Sequence, residues 1–266
     1  MPAIKHHLRV FIYLFKISIA KQMEYRFNFF LMILIETAFL FVKILYAAVI
    51  YQTGVHISGF SSDAIFLFTG TYIIVNGIFM AFFYFNFIEI SRSIINGNLD
   101  IYLTKPISLQ FIMSFKTIDI GTSIPNIVGG FILVCMGWNR MEIVVSIQNI
   151  AIYSLLIISG IIICYSIMLF PNLLSFWFGK INALQELTNS LLDFNTMPMT
   201  IYSKLIKCIG VYVYPIFLIS NYASLYLLKS LSILDMLWGL LAPFVFLILV
   251  NLFWRFSLKK YTSASS

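Results

Sequence analysis

Charge is what this sequence lacks. Only 10% of its 266 residues are Asp, Glu, Lys or Arg, against about 25% in ordinary soluble domains. Hydrophobic residues reach 61%, where roughly 45–50% is usual. A soluble fold cannot hide that much apolar surface behind so few charges, so the composition specifies an integral membrane protein. A disordered chain and a disulfide-rich secreted domain are excluded. A nucleic-acid binder is excluded too, despite a formal net charge of +7, because the cations sit at loops and helix ends instead of forming a patch on a polar surface.

Ligating and nucleophilic residues are equally scarce. Cys135, Cys164 and Cys208 are three, an odd number, all in apolar stretches, and read as buried apolar residues. His6, His7 and His56 have no partners at metal-ligand spacing, so no metal site and no catalytic residue is expected. A phosphate-binding P-loop is missing: the only Gly-Lys pair, Gly179-Lys180, is followed by Ile181 and lacks a glycine five residues upstream. No cofactor is expected on this chain.

What is present is a series of apolar runs. A spanning helix needs about 20 residues, so 266 residues hold six spans with short connections and no separate soluble domain. Residues 1–26 precede them. Ile4, Leu8, Phe11, Ile12, Phe15 and Ile19 share one helical face, with Lys5, His6, Arg9, Tyr13, Lys16 and Lys21 on the other. That is the pattern of an amphipathic helix lying in the membrane interface. The short apolar run Val10–Phe15 and the cations after it argue against a cleaved signal peptide.

The first span is predicted at about Phe27–Ile50, interrupted by Glu36 and Lys43, and the second at Ala64–Ile88. A polar stretch follows, about residues 89–109. The third span, about Gln110–Met136, carries Lys116 and Asp119 in its first half. Residues Ile143–Gly179 are free of charge, too long for one span and too short for two. Pro171 can break a helix, which puts the fourth span at Ile143–Phe170 and a weakly hydrophobic fifth at about Pro171–Asp193. Ile209–Leu228 is apolar but contains Pro215, and Met236–Trp254 is the last span. Either Pro171–Asp193 spans and Ile209–Leu228 is a broken re-entrant hairpin, or their roles are exchanged; hydropathy alone favours the exchange, and both give six crossings. Lys and Arg concentrate in the N-terminal segment, after the second span and at the C-terminus. This places both termini in the cytoplasm and Thr53–Ser62 outside.

The order of parts resembles the permease subunits of bacterial type-2 ABC transporters. The resemblance is carried by the basic amphipathic N-terminus and by Gly97-Asn98-Leu99-Asp100 followed by Leu103-Thr104-Lys105-Pro106-Ile107-Ser108. It is carried further on by Phe176-Trp177, by Met197-Pro198-Met199-Thr200-Ile201-Tyr202 and by Tyr214-Pro215-Ile216-Phe217. The approach to Pro198, Asp193-Phe194-Asn195-Thr196-Met197, lacks the small residue common in that family. The resemblance implies an all-α membrane protein: an interfacial helix over 1–26, then a six-helix permease domain over 27–266 with an external re-entrant region at about 195–231. It implies an inner-membrane exporter subunit that pairs with a second, identical or paralogous permease and with separate ABC ATPase subunits carrying ATP and Mg.

The resemblance also implies that residues 89–109 form the cytoplasmic coupling loop, with Gly97, Leu99, Asp100, Leu103, Lys105 and Pro106 meeting the ATPase. On physical grounds Gly97 suits a sharp exit from the second span, Asp100 a helix cap and Pro106 the first turn of the next helix. Ionisable residues inside a bilayer point to function or to structural pairing. Glu36 and Lys43 are seven apart and share a face; Lys116 and Asp119 are three apart and within pairing distance on a helix. A rival reading is an ion-coupled secondary transporter using Glu36, Lys116 and Asp119, but no internal repeat of the kind usual in such folds is visible. An intramembrane lipid enzyme would need a cluster of His, Asp or Glu at one depth, and none is visible.

Overall fold

The computed structural model describes residues 2–53 and 60–261, and these are helical with short connections. The helices are α1 (Pro2–Glu24), α2 (Arg26–Thr53), α3 (Ser62–Phe79), α4 (Phe85–Ile95), α5 (Leu99–Leu103), α6 (Leu109–Phe115) and α7 (Ser123–Arg140). They continue with α8 (Ile147–Leu173), α9 (Ser175–Phe178), α10 (Asn182–Leu192), α11 (Lys204–Cys208), α12 (Asn221–Leu227) and α13 (Ile233–Leu258). A π-helical turn, Met80–Tyr84, joins α3 and α4 into one rod, Ser62–Ile95. Serine side chains open the helices: Ser61, Ser108, Ser146, Ser203 and Ser232 each accept a backbone N–H in the first turn of α3, α6, α8, α11 and α13.

Among the described residues four stretches are long and apolar enough to cross a membrane: Arg26–Thr53, Ser62–Ile95, Ile147–Phe178 and Ile233–Leu258. The α3 rod is the axis of the bundle. It packs antiparallel to α7 along glycines two turns apart on each helix, with Gly70 facing Gly130, Gly77 facing Asn126 and Ile127, and Gly137 facing Leu67. A Cβ on Gly70 would lie 2.7 Å from the Gly130 carbonyl oxygen, and one on Gly137 would lie 2.8 Å from Leu67 Cα. Without side chains the two backbones touch, which replaces the hydrophobic drive that is missing between helices in lipid. Against this pair pack α8 and the buried helix α12, whose Tyr222, Ala223 and Ser224 are at most 1% exposed, and α13 packs along α8. Helix α2 lies outside, leaving Phe27, Phe30, Leu34 and Phe39 exposed.

Several expected boundaries move. Helix α8 does not end before Pro171; it runs through it to Leu173 and on through α9, and the break comes at Gly179, in the left-handed region at φ +65°. A proline removes one backbone bond, whereas abandoning a helix in an apolar setting exposes many, and Pro171 is buried. Phe176 and Trp177 consequently belong to the end of the fourth long helix, where Trp177 stacks on Phe253 and Phe256 of α13, and not to a fifth one. The stretch expected to be the fifth span holds the 11-residue α10, about 16 Å long at 1.5 Å per residue. The third expected span is not one helix: α6 and α7 are separated by the non-helical residues 116–122.

Helix α1 packs through His7, Phe11, Ser18 and Gln22; of its apolar stripe Phe11, Phe15 and Ile19 are half-buried, while Leu8 and Ile12 stay exposed. Between α11 and α12 the chain passes through a π-helical turn, Ile209–Val213, and turns back at Tyr214–Pro215. Asn195 holds this region to the bundle, accepting from Ser220 Oγ at 3.0 Å and Asn221 Nδ2 at 3.1 Å.

Candidate functional site: the coupling loop and the unwound third helix

Two features stand out from the regular helices, and they adjoin. The first is the loop between α4 and α6. Gly97, at φ +71°, makes the turn out of α4, as its lack of a Cβ allows. Helix α5 then begins. Asp100 is not its cap, because Asn98 holds that position without a side-chain bond; Asp100 lies in the first turn. Pro106 does not open α6 either. It lies exposed in the turn between α5 and α6, and Ser108 caps α6. The second correction follows from Ser108, whose side chain accepts from the Phe111 N–H at 3.4 Å and fixes the helix start three residues late.

The expected coupling residues divide into an anchor and a face. Leu99 is fully buried in the main core. Ile101 is 59% and Leu103 49% exposed, and Lys105 and Pro106 are exposed beside them. A short rigid helix is thus pinned by one leucine and offers two apolar side chains outward. Tyr261, beyond α13, stands edge-on to Phe176 at 6.1 Å. Burial raises the pKa of its phenol, and the neighbouring Asp100 carboxylate raises it further. The C-terminal end of the described chain therefore sits against α5.

The second feature is the unwound segment 116–122. Its polar backbone is satisfied by side chains from three directions. Ser18 Oγ accepts from Ile118 N at 3.1 Å; Gln22 Nε2 donates to Ile118 O at 2.6 Å, and its Oε1 accepts from Ile120 N and Gly121 N. Asn86 of α4 accepts from Thr117 N and donates to Ser114 O and Thr117 O. The N–H of Asp119 donates at 2.9 Å to the carbonyl of Ala81, inside the π-helical turn. Irregular backbone among apolar helices survives only when paired in this way.

Lys116 and Asp119 do not pair. The backbone between them is not helical, so the three-residue spacing no longer sets them side by side. The Asp119 carboxylate accepts from Thr122 N and Oγ1 at 2.9 and 3.0 Å, while Lys116 Nζ lies 5.4 Å from the Tyr102 ring centre in α5. Glu36 and Lys43 do share a face, and they share a partner that the sequence did not reveal. Asn126 of α7, fully buried, donates to Glu36 Oε2 at 2.9 Å and accepts from Lys43 Nζ at 3.4 Å. This ties α2 to α7, and its geometry is that of a structural bridge. His56 lies outside the described residues. No group of His, Cys, Asp and Glu capable of holding a metal occurs among the described residues.

A cavity of about 1130 Å³ lies between α1, the unwound segment and the coupling loop. A smaller one, about 340 Å³, is lined by Tyr72, Asn76, Tyr84, Asn189 and Asp193 between α3, α8 and α10.

A family model described as ABC-2 family transporter protein matches residues 34–265. The chain belongs to this family. It is a type-2 ABC permease subunit, a membrane transport component and not itself a catalytic one, and membership implies association with ABC ATPase components. The match covers the loop between α4 and α6, the unwound segment and every helix from α3 onward; α1 lies before its start. No curated protein and no solved structure matches this permease.

Proposed function

We propose that this permease subunit is the membrane half of a bacterial ATP-driven exporter, in which α5 and the turn after it are the contact with a separate ATPase. The observation that carries this reading is the division of labour in α5: Leu99 is locked in the core while Ile101 and Leu103 face outward with Lys105 and Pro106. An apolar pair on a rigid, polar-edged helix is what a partner groove requires. Force applied there reaches the bundle through Leu99, through Tyr102 and Lys116 and through the unwound segment beneath them.

In this reading the chain crosses the inner membrane six times. The α6–α7 stretch forms the third crossing and the region containing α10 the fifth, while 195–231 enters from outside as a re-entrant hairpin. Helix α1 lies at the cytoplasmic surface, and both termini are cytoplasmic. Two permeases, identical or paralogous, enclose the pathway, and closure of two ATPase chains around ATP and Mg shifts them between states of unequal substrate affinity. The rival based on ion coupling draws no support from the geometry, because Glu36 is bound to Asn126, Asp119 caps α7 and Lys116 stands over Tyr102.

The test is co-expression with a candidate P-loop ABC ATPase partner. The pair should co-purify and hydrolyse ATP, and the purified permease alone should not; robust hydrolysis by the permease free of other chains would overturn the assignment. Single cysteines at Ser58 and Ser265, both outside the described residues, should label from opposite sides of intact membranes, and labelling from one side would overturn the six-crossing topology.

A further inference from the structure

The cavity of about 1130 Å³ has a composition that the coupling reading uses only in part. Four cations line it, Lys21 of α1, Arg92 of α4, Lys105 of the loop and Lys116 of the unwound segment, with two carboxylates, Glu89 and Asp119. Both carboxylates are engaged elsewhere. Glu89 Oε1 is 2.9 Å from Arg92 Nη1, and Asp119 accepts from Thr122. Lys21, Lys105 and Lys116 have no carboxylate within ion-pair distance among the described residues. Three lysines from three separate elements thus line one hollow with no ion-pair partner among the described residues.

The remaining wall is apolar: Leu14 and Ile17 on the α1 side, Ile88 and Phe85 on α4, Met32 on α2. A free anion would leave this surface wet. A headgroup phosphate among the lysines, with acyl chains along the apolar wall, would satisfy both halves. The volume, about 1130 Å³, is just above the range of roughly 300–1,000 Å³ usual for small-molecule sites, as an occupant larger than a phosphate requires.

We propose that the cavity between α1 and the coupling loop binds one anionic phospholipid, its phosphate held by Lys21, Lys105 and Lys116. The bound lipid bridges α1 to the loop and to the unwound segment, which ties the geometry of the ATPase contact to the lipid composition of the facing leaflet. The inference rests on the placement of α1 at the membrane surface and not on export or on ATPase binding.

Native mass spectrometry of the full chain, purified in detergent and titrated with phosphatidylglycerol or phosphatidylcholine, tests it without transport or ATPase. Failure here therefore leaves the exporter reading standing, and failure of that reading leaves this one. Phosphatidylglycerol should give a saturable first adduct at lower concentration than phosphatidylcholine. Each of Lys21→Gln, Lys105→Gln and Lys116→Gln should weaken it about fivefold, and Lys116→Arg should not. Should one variant fail to fold, the others, checked by thermal melting, carry the test. Equal binding of the two lipids, or binding unmoved by the glutamine variants, would overturn the proposal. So would displacement of the lipid by millimolar inorganic phosphate, which would assign the lysines to a free anion.

Discussion

Gln22 of α1 holds the Ile118 carbonyl at 2.6 Å across 96 residues of sequence, and with its other amide atom it accepts from two N–H groups of the same unwound turn. One side chain thus replaces helical bonds that α6 and α7 do not make. Gln22→Ala should lower the stability of the detergent-solubilised permease by about 1–3 kcal/mol, the cost of orphaned buried backbone groups. Gln22→Glu, which keeps the acceptor and loses the donor, should fall between. An unchanged melting temperature in Gln22→Ala would show that the turn holds itself.

Asn126 serves two charges at once. Asn126→Leu strips the partner from Glu36 and Lys43 together and should cost about 1–2 kcal/mol, the scale of interhelical hydrogen bonds in membranes. Replacing Glu36 and Lys43 by Leu in the same chain should return much of that loss, because no polar group is then left unpaired. A triple variant no more stable than Asn126→Leu would argue that the two charges have a partner outside this network.

Two glycines should fail for different reasons. Gly70→Leu drives a side chain into the backbone of α7, where the Gly130 carbonyl and Val134 N–H cannot yield, and should cost about 3 kcal/mol, the upper part of the overpacking range. Gly179→Ala meets nothing within 4 Å but sits at φ +65°, so it should cost about 1–2 kcal/mol of backbone strain alone. Thermal melts of the two variants separate the mechanisms. Equal and negligible shifts would contradict the close approach of α3 and α7.

The anchor and the face of α5 should come apart under mutation. Leu99→Ala empties a fully buried site and should cost about 2–5 kcal/mol of stability. An Ile101/Leu103 double alanine should leave membrane abundance near normal, since exposed substitutions shift stability by about ±0.5 kcal/mol, while weakening co-purification with the ATPase and substrate export. Normal assembly and export in that variant would mean that α5 is an ordinary turn.

The sequence carried the class of the molecule, because burial in lipid leaves a compositional trace that no soluble fold imitates. It also carried the shared face of Glu36 and Lys43, which follows from a seven-residue spacing on an unbroken helix. It did not carry Asn126. An amide within an apolar run says only that it has a partner somewhere, and the partners lie on a helix more than eighty residues earlier. Lys116 and Asp119 were visible as charges in a span, but their meaning was reversed: they mark where the helix stops, so helical spacing could not be applied across them. Pro171 and Gly179 show the same difficulty at a boundary. Both are breakers by local chemistry, and only the packing of the buried segment around Pro171 decides that the chain bends to the glycine and not the proline. The division of α5 into an anchor and a face was likewise invisible, since Leu99, Ile101 and Leu103 are chemically alike and differ only in what surrounds them.

Residues 116–122 also separate two mechanical parts. Along a continuous α-helix every residue fixes the azimuth of the next by about 100°, so a twist imposed at one end arrives at the other. Seven residues without that bonding pattern cannot transmit phase. Helix α7 takes its orientation from the glycine seam with α3, and α6 takes its own from α1 and α4. A residue inserted between Phe115 and Ser123 would therefore leave both helices facing as they do now, whereas the same insertion at Val128 would turn half of α7 out of its seam.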